Sequence, residues 1–190
     1  MTAGKAPRGD LSYALKLLAS GQGVGEVWRE TGFESRKALA NRLFELAESS
    51  VPTQHLSVVA YSDGASRGNP GDAGCGVVIL DESGRVLLEE HKYLGRTTNN
   101  VAEYQAAILA LEKASELGAT RLELRVDSSL LANQIKGRYK VKSEVLAGFY
   151  QSLMEKVKLF DTFEVTLIRR TENTQADRLA SLGVSARKGG

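Results

Sequence analysis

Four carboxylate residues stand where apolar runs end or where helical patterns begin, and this arrangement constrains the fold more than any other feature. Asp63 ends one apolar run and enters a glycine-rich stretch, and Asp127 ends a second run. Glu103 and Asp177 open two patterns with helical spacing. A fold that gathered these carboxylates would hold a cluster of negative charge that needs hard cations. The pattern therefore predicts an oxygen-ligand site for divalent metal ions, a type of site that supports phosphodiester cleavage.

The spacing of apolar residues from residue 56 onward predicts secondary structure in the order βββαβααβα. The predicted strands cover 56–62, 74–80, 86–94, 121–126 and 164–169, and the predicted helices cover 101–117, 129–135, 144–159 and 176–182. The second and third strands form a hairpin, whereas the later strands return through helices and should run parallel. The sequence thus predicts an α/β fold with a five-stranded mixed sheet.

Residues 1–53 are predicted to form a small all-α domain of three short helices with a linker, and residues 54–190 a second domain. Asp10 and Ser35 are candidate N-caps. The predicted apolar faces are Leu11, Ala14, Leu15 and Leu18 in the first helix and Leu39, Leu43 and Leu46 in the third. The polar stretch 49–54 contains a proline and is the predicted linker. The tail 187–190 is predicted to be mobile.

The segment GQGVGEVWRETGFESRKALANRL resembles the broad helix-turn-helix superfamily. In such a unit the last helix can contact DNA, and here it would expose Arg36, Lys37, Asn41 and Arg42. Residues 1–55, however, carry seven basic and six acidic residues and are nearly neutral. Two roles therefore stay open for this unit, namely contact with nucleic acid and packing or contact with protein.

Composition excludes some kinds of site and partner. Cys75 is the single cysteine and His55 and His91 are the only histidines, which excludes a multi-cysteine zinc site and a histidine-rich metal site. The apolar runs are too short to span a membrane, and the first residues lack the apolar core of a signal peptide, so a cytoplasmic location without membrane partners is expected. The net charge of +2 is too small to indicate a nucleic-acid partner by itself.

One basic segment stands out in this balanced chain. It contains Lys136, Arg138, Lys140 and Lys142, with no acidic residue between them. Such a stripe can follow a phosphate backbone. A solvated basic loop is the alternative interpretation.

From about Leu56 to Ala186, the chain resembles ribonuclease H, type 1. The resemblance rests on the order of the elements and on the segments VVAYSDGASRGNPG, TTNNVAEYQAAILALEKA, RLELRVDSS and RRTENTQADRLASLG. The family cuts the RNA strand of RNA–DNA hybrids with magnesium. The resemblance implies the ribonuclease H fold, two Mg²⁺ ions (or Mn²⁺) held by Asp63, Glu103, Asp127 and Asp177, and products with 3′-hydroxyl and 5′-phosphate ends.

The same resemblance implies a set of substrate contacts. Glu103 would contact the ribose 2′-hydroxyl, which distinguishes RNA from DNA. The other implied contacts are a close backbone approach at Gly64, sugar and base contacts from Asn69, Asn99 and Asn100, a DNA-strand phosphate held by Arg96, Thr98 and Ser143, and backbone contacts from Lys140 and Lys142. Ser143 departs from the family, in which asparagine is common at this place. The implied partner is an RNA–DNA hybrid, with double-stranded RNA as an alternative.

The chain also departs from many relatives in the loop before the last aspartate. Those relatives carry a histidine there, which is thought to assist metal turnover and product release. The stretch LIRRTEN is shorter and resembles a subset of the family, including archaeal types, that has arginine instead. Arg170 is the candidate for this catalytic role, and a surface arginine that closes the strand is the alternative. The tryptophan-rich basic protrusion of some bacterial relatives is absent, and the basic segment can partly replace it.

Three of the four carboxylates also have a purely structural interpretation. Asp63 can be a turn former, Glu103 can complete a capping box with Asn100, and Asp177 can simply favour a helix N-terminus. At the level of function, the alternatives are a catalytically weak nucleic-acid-binding protein, another nuclease of the ribonuclease H superfamily such as a junction resolvase or transposase, and a helix-turn-helix regulator.

Overall fold

The structure, a computed structural model, describes residues 10–50 and 55–186. The chain divides into two compact units, Met1–Gln54 and His55–Gly190. Residues 51–54 of the predicted linker and the tail 187–190 lie outside the described residues. The sequence predicts that Ser49 and Ser50 belong to the linker, but they lie at the end of the third helix.

The first unit contains three helices, α1 (Leu11–Ala19), α2 (Val24–Glu30) and α3 (Arg36–Ser50). Both predicted N-caps are confirmed. The backbone N–H of Tyr13 donates to Asp10 Oδ1 (3.1 Å), and that of Ala38 donates to Ser35 Oγ (3.1 Å). Capping of this kind satisfies N–H groups that have no partner within the helix.

A small apolar core holds the three helices together. Its fully buried residues are Ala14, Val27 and Leu39, one from each helix. The predicted face of α1 is wrong at Leu15, which is 40% exposed, whereas Leu17 and Leu18 pack against this core. The buried face of α1 is therefore rotated away from Leu15 and toward Leu17, compared with the face that the apolar spacing predicts.

The second unit contains a five-stranded mixed sheet with the strand order β3-β2-β1-β4-β5. The strands are β1 (Leu56–Gly68), β2 (Gly71–Asp81), β3 (Val86–Thr97), β4 (Ala119–Val126) and β5 (Thr162–Leu167). β1, β2 and β3 pair antiparallel, and β4 runs parallel to both β1 and β5. The predicted fold class is thereby confirmed.

The described part of this unit also contains four α-helices, of which α4 (Asn99–Glu116), α5 (Ser129–Ile135) and α7 (Thr174–Ser185) pack on the sheet and α6 (Glu144–Val157) packs on α4. A Cβ on Gly64 of β1 would clash with the backbone of α4, and a Cβ on Gly74 or Gly76 of β2 would clash with the backbone of α7. Gly64 pairs with Cys75, which lies between the two β2 glycines. Because neighbouring residues of a strand face opposite sides, α4 and α7 lie on opposite faces of the sheet.

The longest difference from the predicted elements lies in β1. The sequence predicts that Asp63 ends this strand and begins a turn, but the strand continues through Gly68 and places Asp63 in its interior. The turn lies further along, at residues 69–70, where Gly68 has a φ of +102°, whereas Gly64 serves close packing against α4. A further element, the short 3₁₀-helix Arg170–Glu172, was not predicted. Among the described residues, no helix is both long and apolar enough to cross a membrane.

Candidate active site

Asp63, Glu103 and Asp127 form one carboxylate cluster, and a set of their oxygens, one from each side chain, lies within 4.8 Å of one another. Strands β1 and β4 run parallel with Tyr61 opposite Arg125, so residues two positions further on lie side by side. This register brings Asp63 next to Asp127, which directly follows β4. Glu103 reaches the same place from the start of α4, where it is only 7% exposed.

The cluster is electrostatically unfavourable by itself. Burial, together with repulsion from Asp127 and Asp177, raises the pKa of Asp63 to about 7. Burial and repulsion from Asp63 and Asp127 raise the pKa of Glu103 to about 9. Glu103 Oε2 is buried and has no hydrogen-bond partner among the described residues. Buried oxygen atoms without partners, in a group of carboxylates, fit a hard divalent cation such as Mg²⁺ or Mn²⁺.

Gly64 holds two of these carboxylates in position. Hydrogen bonds from its backbone lower the pKa of both Asp63 and Glu103, against the larger effect of burial. The close contact between Gly64 and the backbone of Ala102 and Glu103 leaves no space for a side chain. Glycine is therefore required here because β1 and α4 approach each other directly at the cluster.

Asp177 stands at the rim of the same cleft, outside the cluster of three. Its carboxylate accepts a hydrogen bond from Arg170 Nη2 (2.7 Å), and the Arg170 side chain is 82% exposed. The cleft has a volume of about 370 Å³, and its lining includes all four predicted carboxylates, Gly64, Asn99, Ser128, Arg170 and Ser181. The structure thus brings together the four carboxylates and Arg170, as the sequence predicts.

Two structural interpretations of the carboxylates are wrong. Asp63 is not a turn former, because it lies within β1. Glu103 does not form a capping box with Asn100, because the N-cap of α4 is Thr98, whose hydroxyl accepts from the N–H of Val101 (3.4 Å). The helix begins earlier than predicted, and this shift carries Glu103 into the buried cluster instead of leaving it at a solvent-exposed cap.

Sequence reasoning missed Asn173, which is 1% exposed. Its Nδ2 donates to the carbonyl oxygen of Ser62 (3.0 Å), next to Asp63. The backbone carbonyl oxygen of Asn173 accepts from the backbone N–H of Asp177 (3.0 Å), in the first turn of α7. The available signal was an asparagine four residues before an aspartate at a predicted helix start.

A second groove, of about 490 Å³, lies beside the first cleft. Its lining includes the predicted contacts Asn69, Arg96, Thr98, Asn100 and Ser143. The hydroxyls of Thr98 and Ser143 cap α4 and α6, so two helix N-termini meet at this groove, where they favour an anion. Asn69 Oδ1 accepts from the backbone N–H of Asn99 (3.3 Å), which connects this groove to the carboxylate cleft.

The predicted basic segment lies in the loop between α5 and α6. Lys136, Arg138, Lys140 and Lys142 are all exposed. None of the four forms an ion pair with a residue that the structure describes. Their charges are therefore accessible to an anionic partner.

Comparison with known proteins agrees with this geometry. A family model described as reverse transcriptase-like matches residues 61–183. Ribonuclease HI of Halobacterium salinarum is 35% identical over 184 residues, which cover 92% of this chain and 92% of that protein. A bifunctional protein of Mycobacterium tuberculosis is 41% identical over 132 residues, or 69% of this chain. The chain spans only 36% of the length of that relative.

A solved structure of LC11-RNase H1 in complex with an RNA/DNA hybrid is also similar. It is 38% identical to this chain with a TM-score of 0.67, and the match covers 70% of this chain and 100% of that one. The sheet order, the cluster of carboxylates and these relatives lead to one conclusion. This chain belongs to the ribonuclease H family, type 1, and carries an additional unit of three helices before the family fold.

Proposed function

We propose that this protein is an endoribonuclease that hydrolyses the RNA strand of RNA–DNA hybrids and leaves 3′-hydroxyl and 5′-phosphate ends. The observation that carries the proposal is the cluster of Asp63, Glu103 and Asp127, in which Glu103 Oε2 is buried without a partner. A cluster that raises the pKa of its own members is costly to the fold, and a role in metal binding accounts for it.

The four carboxylates would hold two Mg²⁺ ions, with Mn²⁺ as an alternative. When bound, such ions stabilise the charge that develops as water attacks a phosphodiester. Asp63, Glu103 and Asp127 would supply buried oxygen ligands, and Asp177 a more exposed one at the rim of the cleft. Gly64 and Asn173 would fix the positions of these ligands, through the contacts with Glu103 and Ser62 described above.

The hybrid complex of LC11-RNase H1 supports an RNA–DNA hybrid as the substrate. In this proposal Glu103 contacts the ribose 2′-hydroxyl and so selects RNA. The groove lined by Arg96, Thr98 and Ser143 would hold a phosphate of the DNA strand, because a guanidinium and two helix N-termini favour an anion there. Asn69, Asn99 and Asn100 would contact sugars and bases, and Lys140 and Lys142 the backbone. Double-stranded RNA is the alternative substrate.

Arg170 would take the place of the loop histidine of other relatives. The chain would then belong to the subset of the family that has arginine in this loop. Its ion pair with Asp177 puts a permanent positive charge at the rim of the cleft. That charge can stabilise the negative charge of the 5′-phosphate while the product leaves the cleft. Unlike a histidine, an arginine does not change its charge over the physiological pH range.

The unit of residues 1–53 would contact either nucleic acid or protein. Its α3 exposes Arg36, Lys37 and Asn41, which is the face that a helix-turn-helix presents to DNA. Arg42 is paired with Glu45 (2.6 Å), which reduces the net positive charge of the helix. The near neutrality of the segment favours the protein-contact or packing role.

Cleavage of an end-labelled RNA–DNA hybrid, with and without Mg²⁺ or Mn²⁺, tests the proposal. Duplex DNA, double-stranded RNA and branched DNA are the comparison substrates, and Asp127→Asn is the matched inactive variant. We expect cleavage of the hybrid RNA strand only when metal is added. Metal-independent cleavage, or equal activity of Asp127→Asn, would contradict the proposed metal-dependent mechanism at this cluster. Binding of hybrid without any cleavage would favour the catalytically weak binding protein, and faster cleavage of branched DNA would favour a resolvase.

A further inference from the structure

Two rows of side chains extend from the carboxylate cleft toward the C-terminal end of α7. The row on β1 consists of Asp63, Ala65 and Arg67, which alternate onto one face of the strand. The row on α7 consists of Asp177, Ser181 and Ser185, which recur every four residues and so share one side of the helix. The rows face each other, because Asp177 repels Asp63 at one end and Arg67 Nη2 donates to Ser185 Oγ (3.0 Å) at the other.

The lengths of the two rows match. Four residues of strand cover about 13 Å and eight residues of helix about 12 Å, at the usual rise per residue. Ser181, the middle residue of the helical row, lines the same cleft as Asp63 and Asp177. Ala65 and Ser181 line the cleft, and Arg67 and Ser185 are the next residues along the two rows.

Arg67 ends this groove with an exposed positive charge. Its guanidinium donates to the hydroxyl of Ser185, which in turn donates to the backbone carbonyl oxygen of Ser181 (3.0 Å). Asp72 is its cross-strand neighbour on β2 and accepts from Tyr93 Oη (2.8 Å). Among the described residues, Arg67 is in none of the ion pairs within 4 Å. Because Ser185 Oγ accepts from Arg67 and donates to Ser181, it orients the guanidinium, and the remaining N–H groups of Arg67 are well suited to the oxygens of a phosphate.

We propose that Arg67, held in place by Ser185 and assisted by the hydroxyl of Ser181, binds a phosphate of the strand that is cut, to one side of the scissile phosphate. This inference rests on the proposed function, since it takes the carboxylate cleft as the place of the scissile phosphate. Arg67 lies on the same face of β1 as Asp63, two positions beyond Ala65 of the cleft lining, so a phosphate bound there would belong to the strand that enters the cleft. The separate groove at Arg96 and Ser143 serves the other strand in this arrangement.

The first test compares the kinetics of Arg67→Ala with those of Arg121→Ala. Arg121 is also exposed, but it lies on β4 away from the cleft. We expect Arg67→Ala to raise KM for a hybrid about tenfold, equivalent to about one charge-assisted hydrogen bond, with little change in kcat. The slope of log KM against log salt should fall by roughly 0.7 to 0.9, the value for one lost phosphate contact. Ser185→Ala should raise KM less, and Arg121→Ala should change neither quantity.

The second test identifies the phosphate. In one set of hybrids, a single 2′-deoxy nucleotide with a neutral methylphosphonate linkage is placed at successive positions of the RNA strand. In a second set, the methylphosphonate is placed in the DNA strand. Hybrids with unmodified linkages are the controls. We expect one RNA-strand position at which the neutral linkage weakens binding by the wild type about tenfold but leaves Arg67→Ala unaffected, as a double-mutant cycle requires for a direct contact. Coupling at DNA-strand positions only, or at none, would overturn the inference.

Dissociation constants measured without divalent metal make this scan independent of catalysis. If the wild type cleaves the hybrid and Arg67→Ala has the same KM, salt slope and Kd as the wild type, the phosphate subsite is wrong and the proposed function stands. A wild type that shows the RNA-strand coupling but cleaves no hybrid with Mg²⁺ or Mn²⁺ would overturn the proposed function and support the subsite.

Discussion

The side-chain amide of Asn173 donates a hydrogen bond to the carbonyl oxygen of Ser62, over 3.0 Å, and so joins the start of α7 to the strand that carries Asp63. The backbone carbonyl oxygen of Asn173 accepts from the backbone N–H of Asp177 in the first turn of α7. One buried residue thus sets the distance between two carboxylates that come from opposite ends of the family fold.

Asn173→Ala should therefore lower both activity and stability. We expect kcat to fall by about tenfold or more, since small displacements of catalytic groups can cost up to about a hundredfold in rate. The free energy of unfolding should fall by about 1–3 kcal/mol, because the buried Ser62 carbonyl loses its partner. Asn133→Ala is the matched control, since Asn133 also donates to a backbone carbonyl (Ser129, 2.8 Å) but lies outside the cleft. Equal kcat values for the two variants would contradict a positioning role for Asn173.

Asp63→Asn and Asp127→Asn should abolish most activity without unfolding the protein. Each change removes a charged metal ligand, and we expect kcat to fall by more than about 100-fold, the upper end of effects seen when only supporting groups around a metal are changed. In EDTA both variants should melt at or above the temperature of the wild type, because a repelling charge is removed. Initial rates over a range of Mg²⁺ concentrations and melting curves in EDTA are the measurements. Near wild-type rates for Asp127→Asn at every Mg²⁺ concentration would disprove the metal assignment.

The metal-free protein should lose stability as the pH rises through the neutral range. Folding raises the pKa of Asp63 from 3.8 to about 7 and that of Glu103 from 4.5 to about 9. Because the folded state binds these protons more tightly than the unfolded state, their stabilising effect is complete below about pH 4 and is lost between pH 4 and 9. Saturating Mg²⁺ should reverse this trend, since metal binds the deprotonated carboxylates.

Urea unfolding at pH 5.5, 7 and 8.5, in EDTA and in Mg²⁺, measures this dependence. Asp63→Asn serves as the control, and its stability in EDTA should depend less steeply on pH. A metal-free wild type whose stability is constant or increases over this range would show that the cluster is not strained by its own charge.

The sequence predicts the order of elements well, because apolar periodicity is a local property of each segment. It also places Asp127 correctly, since a strand end is a local feature. It places the end of β1 wrongly at Asp63, because Gly64, which indicates a turn, instead allows β1 to lie against α4. It misses Asn173 because the contact with Ser62 joins residues 111 positions apart. The burial of Glu103 likewise depends on the tertiary position of α4, which local capping patterns do not contain.

Arg170→Ala should reduce turnover more than substrate binding. Because the Arg170 side chain is 82% exposed, its ion pair with Asp177 contributes little to stability, within about 1 kcal/mol. We expect kcat to fall about tenfold, or roughly 1.4 kcal/mol in the activation barrier, with KM changed by less than threefold. Arg169→Ala is the neighbouring control and should matter less. Single-turnover and steady-state rates separate cleavage from product release. Identical kinetics for wild type and Arg170→Ala would show that Arg170 has no role in turnover and is a surface arginine that closes the strand.

Removal of residues 1–53 tests the role of the helical unit. The unit has its own core of Ala14, Val27 and Leu39, so a protein that begins at Gln54 should still fold and cleave hybrid. We expect KM to change by less than about threefold at moderate salt, because residues 1–55 carry about one net positive charge and few counterions would be released. If α3 binds nucleic acid instead, its tethering raises the local concentration of contacts, and deletion would raise KM most strongly at high salt. KM over a salt series and the melting temperature, measured on the same two proteins, distinguish these outcomes. A large loss of affinity without a change in melting temperature would identify the unit as a nucleic-acid-binding module, and the triple variant of Arg36, Lys37 and Asn41 to alanine should then reproduce that loss in the full chain.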